Sequence, residues 1–232
     1  MSTGSPKNRV LSWSDIAFKF SQRPQFWANY EQMYPQGVGP AIAAFLNETD
    51  VIEATGIHGQ ADELYHLERY DVLIAWGHGG EAKTDWEAAV DPAVRQGQLG
   101  LIALHSIWNR GVWPNITALS GAVSDIAKVR EGIPLRVERC IDAHPILDGV
   151  EDFDLEEDEI YFEPIELAKD VTRLLIGQWQ EHTSPFAWAR QVDQGRVFYL
   201  QPGHETNASY YHPMMQRLLI NGVQWVARIY AA

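Results

Sequence analysis

Asp71-Val72-Leu73-Ile74-Ala75-Trp76-Gly77-His78 is the stretch that settles the fold class. Five apolar residues follow Asp71 without interruption, and a glycine ends the run. A strand with one wet face alternates apolar and polar residues. A continuous run instead predicts a strand covered on both faces, as in a parallel sheet. The same pattern recurs at Leu99–Leu104 and Arg196–Leu200, and in shorter form at Arg9–Trp13 and Val51–Thr55. Between these runs lie helical patterns: Val38, Ala41, Ile42 and Phe45 within Val38–Leu46, then Ala61–Leu67, then Trp86, Ala89, Val90, Ala93 and Val94 behind a Thr84/Glu87 capping box, then Trp113–Leu119. Pro92 kinks the third of these or starts a new turn, and Gly97 stops it.

Strand and helix thus alternate through the first half, which implies a parallel sheet wrapped by helices. The second half reads as strands with few helices, at Leu135–Arg139, Thr172–Trp179, Phe186–Arg190 and Arg196–Leu200. These extend the sheet, partly antiparallel. Met214–Ile229 closes the chain as an amphipathic helix with Met215, Leu218, Leu219, Gly222 and Val226 inward. With no repeat, linker or low-complexity tract, residues 1–232 read as one α/β domain.

Composition narrows the function. The chain has 232 residues, 18 Lys+Arg against 31 Asp+Glu, and a formal charge of −13. It lacks the basic stripe that nucleic acid requires, so no nucleic-acid partner is expected. No run of 18 apolar residues is present, so no membrane span is expected. The first eight residues have no apolar signal core, and the lone Cys140 cannot pair within the chain. Both point to the reducing cytoplasm.

Ligands of open α/β sheets bind beyond the carboxyl ends of the strands. Three strands here end in a histidine: Gly77-His78-Gly79-Gly80, Leu104-His105-Ser106, and Gln201-Pro202-Gly203-His204-Glu205. The first strand ends near Asp15. Imidazole serves as acid, base or metal ligand near neutral pH. The glycines after Trp76 permit a tight turn; without Gly-x-Gly-x-x-Gly or a following Lys-Ser/Thr, no nucleotide cofactor is expected. Ser106 lies where a nucleophile elbow is placed, but Gly-x-Ser-x-Gly is missing. Glu151–Glu163 holds eight acidic residues in thirteen and reads as a solvated loop, save that one carboxylate of Asp158-Glu159-Ile160-Tyr161 points into the cleft. His144 reads as a turn residue, His58, His66 and His182 as surface, and His212 as lining the cleft mouth or exposed.

Taken in order, Tyr34-Pro-x-Gly37, Trp76-Gly77-His78, Gly100-Leu-Ile-x-Leu-His105-Ser106, His144-Pro145-Ile146, Glu159-x-Tyr161 and Pro202-Gly203-His204-Glu205-Thr206 resemble the ThuA-like (trehalose utilisation) family from about Val10 to Trp225. The resemblance implies a class I glutamine amidotransferase-like fold, a three-layer flavodoxin-like sandwich with a mostly parallel sheet. Amidotransferases of that fold carry a Cys at the elbow. His105 stands there in this chain, so the attacking thiolate is missing and amidotransferase chemistry does not carry over. The resemblance further implies breakdown of trehalose-type disaccharides, with a 3-keto-glycoside as substrate. The chain departs from the family pattern at Gly39 and at Ile107-Trp108, where relatives often carry histidine motifs. It departs again beyond Gly77-His78, where Glu81 and Asp85 stand near the place of a further histidine.

The expectation is therefore an enzyme that moves a proton next to the carbonyl of an oxidised sugar, as an isomerase or epimerase does. His105 and His204 are expected as the acid/base pair, Glu205 as the carboxylate orienting an imidazole, and His78 as the oxyanion stabiliser. A divalent metal, zinc or manganese, is expected on His78, His105 and His204 if one is used. Trp13, Trp76, Trp108 and Trp113 are expected to stack on sugar faces, some of them serving the core instead. Asp15, Ser106, Glu159 and Tyr161 complete the substrate-binding set. The partner is a small sugar, and a homo-oligomer remains open. The alternatives are a non-catalytic sugar-binding protein on the same fold and a metal-dependent hydrolase.

Overall fold

The parallel half of the sheet forms where the apolar runs predict it. A computed structural model of the protein describes residues 7–15, 24–78, 85–108, 111–124, 128–162 and 165–227. Nine strands form one sheet in the order β2-β1-β3-β4-β9-β8-β7-β5-β6. Strands β1 (Asn8–Asp15), β2 (Ile52–His58), β3 (Val72–Gly77), β4 (Gly100–Leu104) and β9 (Gly195–Leu200) run parallel. Beyond β9 the pairing is antiparallel through β8 (His182–Val192), β7 (Thr172–Trp179), β5 (Lys128–Arg139) and β6 (Phe153–Phe162).

Both faces of the parallel half are covered, which explains the continuous apolar runs. Val72, Ile74 and Trp76 of β3 pack on one side with Val38, Ile42 and Leu46 of α2 (Val38–Leu46) and Leu218 and Leu219 of α5 (Pro213–Val226). Leu73 and Ala75 pack on the other side with Val90 and Val94 of α3 (Val90–Arg95) and Ile116 and Leu119 of α4 (Pro114–Ser120). Helix α2 lies directly on β1 and β2. A Cβ on Gly39 would sit 2.6 Å from the carbonyl oxygens of Ser12 and Ile57, so only glycine fits there.

Several elements differ from expectation. Ala61–Leu67 is not one helix but two 3-10 turns, Asp62–Tyr65 and Leu67–Arg69, separated at His66, whose φ of −128° is not helical. The third predicted helix begins as a 3-10 turn, Asp85–Ala89, and becomes α3 at Val90, with Pro92 in the first turn where a missing N–H costs nothing. Thr84 of its capping box lies outside the described residues. Helix α1 (Pro24–Met33) and the full lengths of β5 and β6 were not expected from the apolar pattern. The predicted end of the last helix, Ile229, also lies outside the described residues. No described helix is long and apolar enough to cross a membrane.

Candidate functional site

Register brings the histidines together. Trp76 pairs with Leu104 and Leu104 pairs with Leu200, so β3, β4 and β9 end level with one another. The histidines that follow them, His78, His105 and His204, therefore meet at one edge of the sheet. The ring centroids of His78 and His105 lie 5.7 Å apart, as do those of His105 and His204.

His105 occupies a tight strand-to-turn elbow. Its φ is +50°, a left-handed conformation uncommon outside glycine. The elbow is fixed by Tyr199, whose hydroxyl donates to the His105 carbonyl at 2.6 Å. His105 Nδ1 lies 2.9 Å from the Gln201 carbonyl, so Nδ1 carries hydrogen and donates there. The Tyr161 hydroxyl is 3.3 Å from the same nitrogen. Trp76 stacks parallel to the ring at 6.2 Å and donates its indole N–H to the Gly203 carbonyl at 3.1 Å, tying β3 to the loop after β9.

Two carboxylates enter this cluster. Glu205 Oε2 lies 2.9 Å from His78 Nε2. Glu159 Oε2 lies between two rings, 3.3 Å from His105 Nε2 and 3.8 Å from His204 Nε2. His204 is held on its other side by Thr206, with Nδ1 2.8 Å from Oγ1. Glu159 comes from β6 in the antiparallel half, and Gln201 Nε2 donates to its backbone carbonyl at 2.8 Å.

Asp158 does a different job from its neighbour. It is fully buried and accepts from the backbone N–H groups of Glu159 (2.7 Å), Gly203 (2.9 Å) and His204 (3.1 Å), and from the Ser209 hydroxyl. It clamps the loop that carries His204 and Glu205. Of the acidic run, Glu159 is thus the carboxylate that points inward, and Asp158 holds the frame.

The charges of these groups are interdependent. Burial disfavours a charge on His105, yet Glu159, with Glu205 and Asp158 behind it, raises its pKa to about 9. Burial likewise opposes ionisation of Glu205, but His78, His204 and His105 hold it down at about 2. At neutral pH the centre is therefore an ionised Glu205 beside a protonated His105.

Exposure decides which groups a ligand can touch. His78 is the most open, at 18% of its side chain; Glu159 and His204 show 7% and 5%; His105 is closed off beneath them. Among the described residues, the three atoms with metal-ligating character within 4.8 Å of one another belong to His78, His105 and Glu205. Glu205 therefore stands where His204 was expected, because Thr206 and Glu159 hold the His204 ring to the side. The group fits a cation on two further counts. Glu205 Oε1 is buried without a hydrogen-bond partner among the described residues, and His105 Nε2 is buried with the Glu159 carboxylate at 3.3 Å but out of line for a hydrogen bond. The donation from His105 Nδ1 to a backbone carbonyl is the outer contact that usually orients a ligating imidazole.

Other expected contacts are corrected by burial. Trp13 meets Trp86 and Trp113 edge-on at 4.9 and 5.2 Å, and Trp108 packs against Tyr161, Trp188 and Tyr199. With Trp76 buried against His105, all four tryptophans belong to the core and present no face to a sugar. Tyr161 is buried behind His105. Ser106 donates to the Gly77 carbonyl at 3.1 Å and locks two loops together, which is not the posture of a nucleophile. Asp15 ends β1 beside the site, and its carbonyl accepts from His78 N–H at 3.4 Å. His144 and His212 each accept a backbone N–H at the start of a helical turn. Gln201 was not anticipated; it acts through its own carbonyl on His105 and through its side chain on the Glu159 carbonyl, and contacts with backbone atoms leave no pattern in a sequence.

Comparison with known proteins identifies the family and the fold. A family model described as trehalose utilisation, ThuA, matches residues 23–226. A putative ThuA-like protein from Bacteroides uniformis superposes with a TM-score of 0.68 at 18% identity, covering 97% of this chain and 94% of that one. A second, from Parabacteroides merdae, gives 0.65 at 12% identity, covering 95% and 90%. A beta-galactosidase from Bacillus circulans gives 0.56 at 12% identity over 93% of this chain but only 31% of that enzyme, a likeness of fold alone. No curated protein matches the chain. With the family model spanning strands β2 to β9, the elbow and all three strand-end histidines, the chain belongs to the ThuA family, trehalose utilisation.

Proposed function

We propose that the protein is an enzyme acting on trehalose-type disaccharides in their 3-keto form, by proton transfer at the carbon beside the carbonyl. The supporting observation is the convergence of His78, His105 and His204 around Glu159 and Glu205 at the carboxyl edge of a parallel sheet. The amidotransferase-like three-layer sandwich belongs to the same reading.

A ketone acidifies its neighbouring C–H, and catalysis needs a base for that proton and a donor for the oxygen that gains charge. His204 is the base: Thr206 fixes its Nδ1 side, and its Nε2 is directed toward the partly open Glu159. His78 is the donor. Its Nε2 is held by ionised Glu205, which fixes the ring at the most open part of the cluster. His105 does not reach the substrate. It sits beneath Glu159 as a buried positive charge and positions that carboxylate. The role expected of His105 thus passes to His78, Glu159 and His204, which retain some contact with solvent. In 3-keto-trehalose incubated in deuterated water, NMR should show deuterium entering beside the carbonyl, with a slower rate in His204→Ala. Folded protein that exchanges nothing overturns the proposal.

The orphaned Glu205 oxygen favours a second reading, in which His78, His105 and Glu205 hold zinc or manganese. Such an ion supplies Lewis acidity at the carbonyl oxygen or at a water. Elemental analysis tests it: a stoichiometric metal lost in Glu205→Gln supports this reading, and metal-free protein with full activity removes it.

A further inference from the structure

We infer that His58, at the far end of the same sheet edge, is a specificity-determining residue that binds the second sugar ring of a disaccharide. The inference rests on the sugar reading above and adds the length of its substrate.

By sequence His58 is an unremarkable surface histidine; the structure fastens it with care. Its Nδ1 lies 2.9 Å from Ser14 Oγ. That hydroxyl also accepts the Gly39 N–H at 2.9 Å, so the anchor of the ring is itself held in place. Burial of the ring edge, opposed by Asp15, lowers the pKa of His58, which keeps it neutral at pH 7. A neutral ring bonded at Nδ1 keeps Nε2 as its second polar atom, a donor or an acceptor according to the tautomer. The residue is exposed.

The ring cannot swing away freely. It lies against Gly37, where a Cβ would come within 2.6 Å of it, and its other neighbour is Tyr30, with centroids 6.1 Å apart. The following residue is held twice. Gly59 N–H donates to the Ser14 carbonyl at 2.8 Å, and the Trp13 indole donates to the Gly59 carbonyl at 2.9 Å. Such fixing at a strand end goes beyond what a solvated histidine requires, and it is the preorganisation that binding favours.

Position completes the argument. Ser14 pairs with His58 on one side and with Trp76 on the other, so His58 and Trp76 are level on strands separated only by β1. Two strand spacings make roughly 10 Å. A ligand with one ring at His78 reaches His58 with a second ring, and a monosaccharide does not. A fixed imidazole that can donate or accept suits the hydroxyls of a pyranose.

Calorimetry with trehalose, 3-keto-trehalose and glucose, on wild type and His58→Gln, tests this. Loss of one neutral hydrogen bond should narrow the preference for trehalose over glucose by about 3- to 10-fold. Ser14→Ala, which frees the ring, should narrow it in the same direction, and thermal melting confirms that both variants are folded. An unchanged preference, or equal losses for both sugars, overturns the role of His58 while leaving the sugar reading intact. Wild type that binds none of the three overturns both.

Discussion

Deleting the imidazole of His105 should remove most of the pH dependence of folding stability between pH 6.5 and 9. The unfolded chain binds this proton with a pKa of 6.5, and the folded protein binds it with a pKa of about 9. The raised value means that the folded state holds the proton more tightly, through Glu159. Its contribution is therefore present in full below pH 6.5 and is lost as pH rises through 9. At about 1.4 kcal/mol per pH unit, the whole effect is about 3 kcal/mol. Urea unfolding followed by tryptophan fluorescence, in chelator, at half-unit steps from pH 6 to 9.5 measures it. Wild type should decline through this window, while His105→Gln should start lower and stay nearly flat. A wild-type curve as flat as the variant's would show that Glu159 does not hold a proton on this ring, and the assignment of His105 as a buried cation would fall. Repeating the titration with zinc adds a second readout, because a ligating imidazole has no proton to lose.

Glu205 predicts the mirror image: with a pKa of about 2 against 4.5 unfolded, its contribution is present above pH 4.5 and lost toward pH 2, so Glu205→Gln should blunt acid unfolding from about pH 4.5 downward. Gly203 has φ +121°, and a Cβ there would strike the Tyr210 ring; Gly203→Ala should lower the melting temperature, with about 1–3 kcal/mol from backbone strain alone, and an unchanged melt would refute the collision. Asp158→Ala leaves the Gly203 and His204 N–H groups buried without their acceptor, at about 1–3 kcal/mol each. Amide hydrogen exchange should then quicken first at residues 203–205, and uniform exchange across the sheet would count against a local clamp.

What the sequence disclosed follows from burial. Strands β3, β4 and β9 are apolar on both faces, so their runs and the histidines that end them could be read directly. The β5–β6 hairpin could not. Glu156 and Glu157 are exposed on an edge strand, and Lys128–Glu131 are exposed on its partner, so both segments resemble solvated loops. Their pairing is a long-range choice that local pattern does not encode. The choice between Asp158 and Glu159 was hidden for a similar reason. Register shifts opposite them, between Arg130 and Ile133 and between Ile133 and Leu135, break the alternation, and residues 158–161 are buried in succession. The tryptophans misled because a large amphipathic side chain serves a core as readily as a sugar platform. His58 was passed over because its partner, Ser14, is 44 positions away.

Glu159 reaches the histidines from an arm, not from the scaffold that bears them. The arm ends in β6, which pairs with β5 alone, at the margin of the sheet. Edge hairpins open more readily than central strands. Fraying of β6 would carry away the shared carboxylate, and with it the Asp158 clamp on residues 203 and 204, while β3, β4 and β9 stayed folded, so that on warming the histidine cluster comes apart before the parallel half of the sheet.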